Sequence, residues 1–169
     1  MEPVEVLLGR MLKAGGFWLA TAESCTGGLI GDRITNIPGS SEYYLGGVVA
    51  YANEAKMALL GVSKTTLELY GAVSRQAVLE MARGVRLMLE ADIAVSVSGI
   101  AGPGGGVPGK PVGTVWLGLS AAEGEWASVQ YFSGDRVGIK HQAADTALKM
   151  ALDYLHGERN FVGPDGWRG

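Results

Sequence analysis

Residues 17–35, FWLATAESCTGGLIGDRIT, contain the sequence signals of a strand, a turn and a helix in immediate succession. The first six residues are mostly apolar, which is typical of a short buried strand. The polar turn at 23–28 ends in the pair Gly27-Gly28, and a helical pattern begins at residue 29. A strand that passes through a tight turn into a helix is the repeating unit of α/β domains, so this stretch indicates that fold class.

The flanking segments continue the alternation of helices and strands. Apolar spacing predicts helices over residues 4–15, 53–60, 74–90 and 137–155, strands over 46–51, 93–97, 114–119 and 127–132, and loops over 38–41 and 99–113. Asn53 is the expected N-cap of the helix that it begins. Since helices alternate with strands up to about residue 98 and a hairpin follows, we expect a three-layer α/β/α sandwich on a mixed, partly parallel sheet.

The bulk composition limits the classes of function. The chain has 169 residues, 47% of them hydrophobic, so we expect one domain over residues 1–157 and a loose tail over 158–169. A net charge of −3 argues against nucleic-acid binding. The single cysteine, Cys25, fits a reducing compartment, and no signal peptide or membrane-spanning run is recognised, so we expect a soluble cytoplasmic protein. A homodimer or higher homo-oligomer is also expected.

Three segments follow predicted strands, which is where α/β domains bind ligands. They are residues 21–28, 51–56 and 99–106. In the first of them, Ser24 precedes a helix whose free N–H groups and dipole suit an oxyanion or a phosphate. Ser24 is therefore a candidate nucleophile, although residues of this kind also serve as simple helix caps.

A serine nucleophile needs a base, and the sequence leaves the choice open. The two histidines, His141 and His156, both lie on the last predicted helix without an evident acidic partner. Lys56 can act as the base if burial lowers its pKa; the alternative is an ordinary exposed lysine. Cys25 is a second candidate nucleophile, because a helix N-terminus favours a thiolate; the alternative is a small buried apolar residue.

The glycine loop after Ser98 is compatible with phosphate binding by backbone amides. It matches neither a Walker loop nor a dinucleotide-binding fingerprint. Cysteine, histidine and carboxylate residues never cluster at the spacing of metal ligands, so no metal site is expected.

Three segments together resemble one protein family: TAESCTGGLIGDRITNIPGSSEYYLGGVVAYANEAKMALLGV at 21–62, YGAVSRQAVLEMARGV at 70–85 and VSGIAGPGGGVPGKPVGTVW at 97–116. The family is the C-terminal domain of the competence/damage-inducible protein CinA, and the likeness covers about residues 5–155. Members that act alone are nicotinamide-nucleotide amidases. The resemblance implies hydrolysis of the carboxamide of nicotinamide mononucleotide (NMN), giving nicotinate mononucleotide and ammonia, in pyridine-nucleotide recycling. It also implies serine–lysine catalysis without a metal, and no cofactor is expected.

The resemblance further implies roles for individual residues. The serine of TAESCTGG is Ser24, with Thr26 as a helper, and the family's Y-x-N-E-x-K motif supplies Tyr51 and Lys56 for proton transfer. Substrate-binding roles are implied for the glycine-rich turns and for two basic side chains, namely Gly27, Gly28, Gly99, Ala101, Gly102, Gly105, Arg136 and Lys140. Backbone N–H groups near residues 26–28, or in the glycine loop, are expected to hold the oxyanion.

The chain departs from the family pattern at three positions. Gly104 and Gly109 stand where the family commonly has acidic residues, and Lys140 stands where relatives usually have arginine. Lysine keeps the positive charge but lacks the planar fork that suits a phosphate. Two alternatives to the amidase therefore stay open: a nucleotide-binding or interaction domain without catalysis, and a hydrolase that acts on another amide.

Overall fold

A central five-stranded sheet lies between helical layers in the computed structural model, which describes residues 1–161. The helices are α1 (Val4–Gly15), α2 (Leu29–Thr35), α3 (Asn53–Leu60), α4 (Lys64–Tyr70), α5 (Arg75–Leu89) and α6 (Arg136–Leu155). The strands are β1 (Leu19–Glu23), β2 (Tyr44–Val49), β3 (Ile93–Gly99), β4 (Thr114–Ala121) and β5 (Gly124–Tyr131).

The strand order across the sheet is β2-β1-β3-β4-β5. Strand β1 pairs in parallel with both β2 and β3, whereas β3–β4 and β4–β5 are antiparallel. The predicted mixed sheet, parallel in its first part and closed by a hairpin, is therefore confirmed. Because β1 lies between its two parallel neighbours, the segments that leave all three strands emerge at one edge of the sheet.

Side-chain alternation along β3 separates the two faces of the sheet. Ile93, Val95 and Val97 pack in a core with residues of α1, α2 and α6, whereas Ala94 packs with residues of α3 and α5. Each face is thus covered by helices, and the three-layer α/β/α prediction is confirmed. Within residues 1–161, none of the helices combines the length and the apolar character that a membrane crossing requires.

The structure corrects several predicted boundaries. A helix that the apolar pattern did not predict, α4, buries none of its residues and is capped by Ser63, whose hydroxyl accepts the N–H of Thr66 at 3.0 Å. The predicted loop at 38–41 runs into a 3₁₀ turn at Ser40–Glu42. Strand β2 spans Tyr44–Val49 rather than 46–51. Helix α4 has no buried residue and β2 is only partly buried, so the hydrophobic period of both is weak.

The expected N-cap role of Asn53 is wrong by one position. Ala52 has the extended backbone of an N-cap, Asn53 is the first helical residue, and no side chain caps α3. Helix α3 therefore begins directly after the turn that follows β2, without a side-chain cap.

The described residues beyond α6 contact the domain. Phe161 packs against the core, with its ring centroid 6.4 Å from that of Trp126. The guanidinium of Arg159 lies 4.0 Å from the ring centroid of Tyr154. The loose tail over 158–169 stays a prediction, because residues 162–169 lie outside the described part of the chain.

The layered core predicts a contrast between two leucines on helices. Leu148 of α6 is fully buried, whereas Leu87 of α5 is 60% exposed. We expect Leu148→Ala to lower the free energy of unfolding by about 2–5 kcal/mol, because it removes apolar contacts and leaves a cavity. Leu87→Ala is the matched control and should change it by no more than about 0.5 kcal/mol. Urea unfolding measures both variants, and equal losses would contradict the assigned faces.

Candidate active site

Ser24 and Lys56 meet at the carboxyl end of β1. Ser24 directly follows that strand, and Lys56 projects from the first turn of α3. The Lys56 Nζ donates hydrogen bonds to Ser24 Oγ at 3.0 Å and to the backbone oxygen of Tyr51 at 3.0 Å. Two of the three predicted functional segments are thus joined by one lysine, and Lys56 is not the exposed residue of the alternative interpretation.

The amine of Lys56 is held without a negative partner. The residue is 2% exposed, and burial lowers the pKa of its amine below the usual value for lysine. No carboxylate of residues 1–161 lies within ion-pair distance of this amine. Burial without a counter-ion disfavours the ammonium form, so this lysine is suited to accept a proton from the serine beside it.

The N-terminus of α2 is occupied by the chain's own carboxylate. Glu23 Oε1 accepts the N–H groups of Gly28 at 3.2 Å and Ile30 at 2.9 Å, and Oε2 accepts that of Gly31 at 3.1 Å. The hydroxyl of Thr26 donates to the same carboxylate at 2.6 Å. The expectation that free N–H groups of this helix would receive an oxyanion or phosphate is therefore wrong for residue 28.

The structure does not favour Cys25 as the nucleophile or a histidine as the base. Cys25 is buried, and this burial raises the pKa of its thiol to about 11, the opposite of the thiolate expected at a helix N-terminus. His141 and His156 are exposed. Lys56 is the only side chain among the described residues that hydrogen-bonds the hydroxyl of Ser24.

A cavity of about 290 Å³ opens beside the Ser24–Lys56 pair. The residues that line it from the predicted site are Ser24, Tyr51, Lys56, Gly99, Ala101, Gly102, Gly105 and Arg136. Arg136, at the start of α6, donates one hydrogen bond to the backbone oxygen of Gly102 at 2.7 Å and another to the hydroxyl of Tyr51 at 2.9 Å. This guanidinium therefore connects the glycine loop to the segment after β2.

The remaining predicted site residues lie outside the lining of this cavity. Thr26 is buried against Glu23, and Gly27 and Gly28 form the turn before α2 with φ angles of 61° and 104°. A Cβ atom built on Gly27 would lie 3.8 Å from Lys140 Nζ, so Lys140 is next to this turn. Its amine forms no hydrogen bond or ion pair with the residues that the structure describes.

Ser98 is a cavity residue that the sequence analysis did not select. It is 2% exposed and lines the cavity, and its hydroxyl has no hydrogen-bond partner within residues 1–161. Glu23 and Val97 are paired in the β1–β3 register, so Ser24 and Ser98 directly follow paired residues. Residues 94, 96 and 98 are all small and alternate along β3, which places Ser98 on the same face of the sheet as Ala94. This sequence pattern could have identified Ser98 as a candidate site residue.

Gly104 and Gly109, the positions where the resemblance implies acidic residues, differ in their surroundings. Gly104 lines the cavity, and a side chain there would meet no atom within 4 Å, so the space is open. Gly109 is exposed and has a φ of 81°, a conformation that favours glycine. Within residues 1–161, no group of three or more histidine, cysteine or carboxylate side chains is arranged to hold a metal ion.

An α/β/α sandwich that holds a serine and a buried lysine in a cavity at the carboxyl end of a parallel strand has the layout of an α/β ligand site with a candidate nucleophile and base. The model of the CinA C-terminal domain family matches residues 1–155. This chain therefore belongs to the CinA C-terminal domain family.

Relatives and solved structures agree with that membership. The nicotinamide-nucleotide amidohydrolase PncC of Enterobacter agglomerans is 54% identical over 90% of this chain and 93% of its own length. A CinA-like protein of Thermotoga neapolitana is 50% identical, but the chain spans only 38% of that longer relative. Crystal structures of a CinA superfamily protein from Klebsiella pneumoniae and of the competence/damage-inducible protein CihA from Agrobacterium tumefaciens match with TM-scores of 0.88 and 0.85, at 35% and 43% identity. Each covers 92% of this chain, which covers 97% of each structure.

The buried amine predicts a pH dependence of stability. The folded protein releases the proton of Lys56 at a lower pH than the unfolded chain, where the pKa of lysine is 10.5. Between those two values unfolding takes up a proton, so the free energy of unfolding rises with pH. We therefore expect the difference in this free energy, wild type minus Lys56→Met, to rise with pH up to about 10.5 and to be flat below the folded-state pKa. Lys64→Met, at an exposed lysine of α4, is the control. A difference that falls with pH would contradict the lowered pKa.

Proposed function

We propose that this chain hydrolyses the carboxamide of NMN to nicotinate mononucleotide and ammonia, in pyridine-nucleotide recycling. The main observation behind the proposal is the 3.0 Å contact between the Lys56 amine and the Ser24 hydroxyl inside a cavity. A serine beside a lysine of lowered pKa is a nucleophile–base pair. The relative from Enterobacter agglomerans, named a nicotinamide-nucleotide amidohydrolase, supports the choice of substrate.

The first half-reaction is the acylation of Ser24. Its Oγ attacks the carboxamide carbon while the neutral Lys56 Nζ takes the hydroxyl proton, and the carbonyl opens to a tetrahedral oxyanion. The Lys56 ammonium then donates that proton to the amide nitrogen, the C–N bond breaks and ammonia leaves. The product of this step is an ester of Ser24 with the nicotinoyl group of the nucleotide.

The second half-reaction hydrolyses that ester. Lys56 takes a proton from water as the water oxygen attacks the ester carbon. It returns the proton to Ser24 Oγ when the ester bond breaks. The carboxylic acid product gives its remaining proton to solvent, so nicotinate mononucleotide leaves as a carboxylate. One amine serves as base and then as acid in both halves, because its two hydrogen bonds hold it next to Ser24.

The oxyanion needs N–H donors that the protein does not already use. The N–H of Gly28 is bonded to a carboxylate. We therefore place the oxyanion among the N–H groups of Cys25 and Thr26 and those of Ala101 and Gly102. Within the described chain, the N–H groups of Thr26, Ala101 and Gly102 donate to no other backbone oxygen or side chain, and that of Cys25 donates to no backbone oxygen. The free hydroxyl of Ser98 is available to the carboxamide or to the attacking water.

Tyr51 and Thr26 take supporting roles in this proposal. The backbone oxygen of Tyr51 holds the Lys56 amine, and its hydroxyl accepts from Arg136. The hydroxyl of Thr26 is bonded to Glu23. Proton transfer is therefore assigned to Lys56 rather than shared between Lys56 and Tyr51.

The phosphate of the substrate is assigned to the two cations at the start of α6. Arg136 lines the cavity, and Lys140 follows one helical turn later beside Gly27. The planar guanidinium can bind a phosphate with two parallel hydrogen bonds, whereas the lysine adds a point charge. The glycines of the loop after β3 line the cavity and allow the backbone to approach the nucleotide closely.

The proposal extends to the setting of the enzyme. We propose that residues 1–157 form the catalytic domain and that the chain works in the cytoplasm as a homodimer or higher homo-oligomer. The single cysteine and the frequency of two-fold assemblies support this view.

The proposed chemistry predicts which substitutions abolish ammonia release from NMN. We expect Ser24→Ala and Lys56→Met each to lower kcat by about 10³-fold or more, because the first removes the nucleophile and the second its base. EDTA should have no effect on the wild type, since no step uses a metal. Ammonia and nicotinate mononucleotide are both measured, and melting temperatures show that the variants are folded.

Ser41→Ala and Lys64→Met are matched controls at exposed positions and should keep wild-type rates. Turnover by Ser24→Ala would refute the assigned nucleophile. A wild-type protein that binds NMN without turnover would favour the non-catalytic alternative. Equal hydrolysis of NMN, nicotinamide and simple amides would favour a hydrolase for another amide.

The assigned phosphate contact predicts a substrate-dependent effect of Arg136. We expect Arg136→Ala to lower kcat/KM for NMN by about 10- to 100-fold, because a charge-assisted contact is lost. For nicotinamide riboside, which has no phosphate, the loss should be less than about twofold. Arg10→Ala, an exposed arginine of α1, is the control. Equal losses for both substrates would mean that Arg136 only holds Tyr51 and Gly102 in place.

A further inference from the structure

The sequence motif around Ser24 contains one buried charge that the mechanism does not use. Glu23 is 2% exposed, and its carboxylate accepts four hydrogen bonds, from the hydroxyl of Thr26 and from the N–H groups of Gly28, Ile30 and Gly31. All four donors follow Ser24 within seven positions of the chain. The bonds therefore close the turn that contains Ser24 onto the start of α2.

We propose that Glu23 is the positioning residue of the nucleophile. Its backbone belongs to β1, where it pairs with Val49 on one side and Val97 on the other, so the carboxylate is tied to a strand that is held on both sides. The Ser24 N–H donates to the Val97 oxygen at 3.0 Å, which fixes one side of the turn. Glu23 fixes the other side through α2. This inference rests on the proposed role of Ser24.

The glycine pair explains how one carboxylate can reach all four donors. Gly27 and Gly28 have φ angles of 61° and 104°, a region that other residues rarely adopt. The chain can therefore turn sharply enough to direct the N–H of Gly28 back to Glu23. The glycines thus serve the internal anchor, and the substrate-binding role implied by the resemblance is not required to account for them.

The anchor also keeps a negative charge away from Lys56. The Glu23 carboxylate is directed to the positive end of α2, and it does not form an ion pair with the amine. A carboxylate within ion-pair distance would stabilise the ammonium form of Lys56 and make it a weaker base for Ser24. Glu23 therefore acts on the geometry of Ser24, while Lys56 keeps an environment of neutral oxygens.

The decisive experiment compares Glu23→Gln with Glu5→Gln. A glutamine at 23 keeps the shape, but its NH₂ group cannot accept the one or three hydrogen bonds of whichever carboxylate oxygen it replaces. We expect kcat for NMN to fall by about 10- to 100-fold with KM unchanged within about twofold, because Ser24 is misplaced while binding is retained. Glu5→Gln also disturbs a carboxylate, one that accepts two bonds from Arg33, and should keep wild-type kcat.

Two further measurements test whether Glu23→Gln acts by displacing Ser24, by lowering the stability of the fold or by removing a charge near Lys56. Labelling of Ser24 by a fluorophosphonate, followed by mass spectrometry, should slow in parallel with kcat, and it does not depend on the identity of the substrate. The acid limb of the rate profile should move by less than about 0.5 pH unit, because the charge of Glu23 is not paired with Lys56. A limb displaced to lower pH would overturn the proposal, since Glu23 would then stabilise the Lys56 ammonium.

A milder pair of variants covers the case in which Glu23→Gln does not fold. Thr26→Val removes one of the four bonds without changing the size of the side chain, and Thr26→Ser restores the hydroxyl. We expect the labelling rate of Ser24 to fall in the first and to recover in the second. Equal labelling of both variants and the wild type would overturn the anchor. A wild type that is labelled but does not hydrolyse NMN would refute the proposed function and leave this test intact.

Discussion

The buried amine of Lys56 is the group around which the rest of the site is organised. An ammonium group removed from water loses several kcal/mol of solvation unless charged or polar partners replace the water. Its partners here are two neutral oxygens, the Ser24 hydroxyl and the Tyr51 carbonyl. Two neutral acceptors replace water only in part, so the amine loses its proton more readily. The burial that makes its charged form costly is thus the property that suits Lys56 to the role of base in the proposed mechanism.

The strand order explains why this lysine reaches this serine. Strand β1 lies between β2 and β3, and all three are parallel, so their carboxyl ends are adjacent. Ser24 leaves the middle strand and is flanked by the segment after β2, which holds Lys56, and by the glycine loop after β3. Arg136 then joins the two flanking segments from α6. A ligand in the cavity contacts residues that are up to 112 positions apart, as in other α/β sites at the carboxyl ends of strands.

Much of this arrangement follows from sequence patterns, because it depends on strong local signals. The apolar period of α5, the buried run of β3 and the glycines after β1 and β3 predict the element order and place Ser24, Lys56 and the loop at one edge. Weak or non-local signals explain the errors. Helix α4 has no buried face, so its period is faint, and a glutamate in a turn resembles an exposed residue. Only the folded chain shows that the Glu23 carboxylate is buried against the start of α2 and that Ser98 lines the cavity.

The glycine at position 104, where the resemblance implies an acidic residue, can also be judged from the electrostatics of the cavity. Among the described residues that line the cavity there is no carboxylate, whereas Lys56 and Arg136 contribute two basic groups. An acidic side chain at 104 would project into open space in this wall. Its charge would raise the pKa of Lys56 and repel a phosphate at Arg136. Glycine at this position removes both effects, so the departure from the family pattern is compatible with a serine–lysine site for an anionic nucleotide.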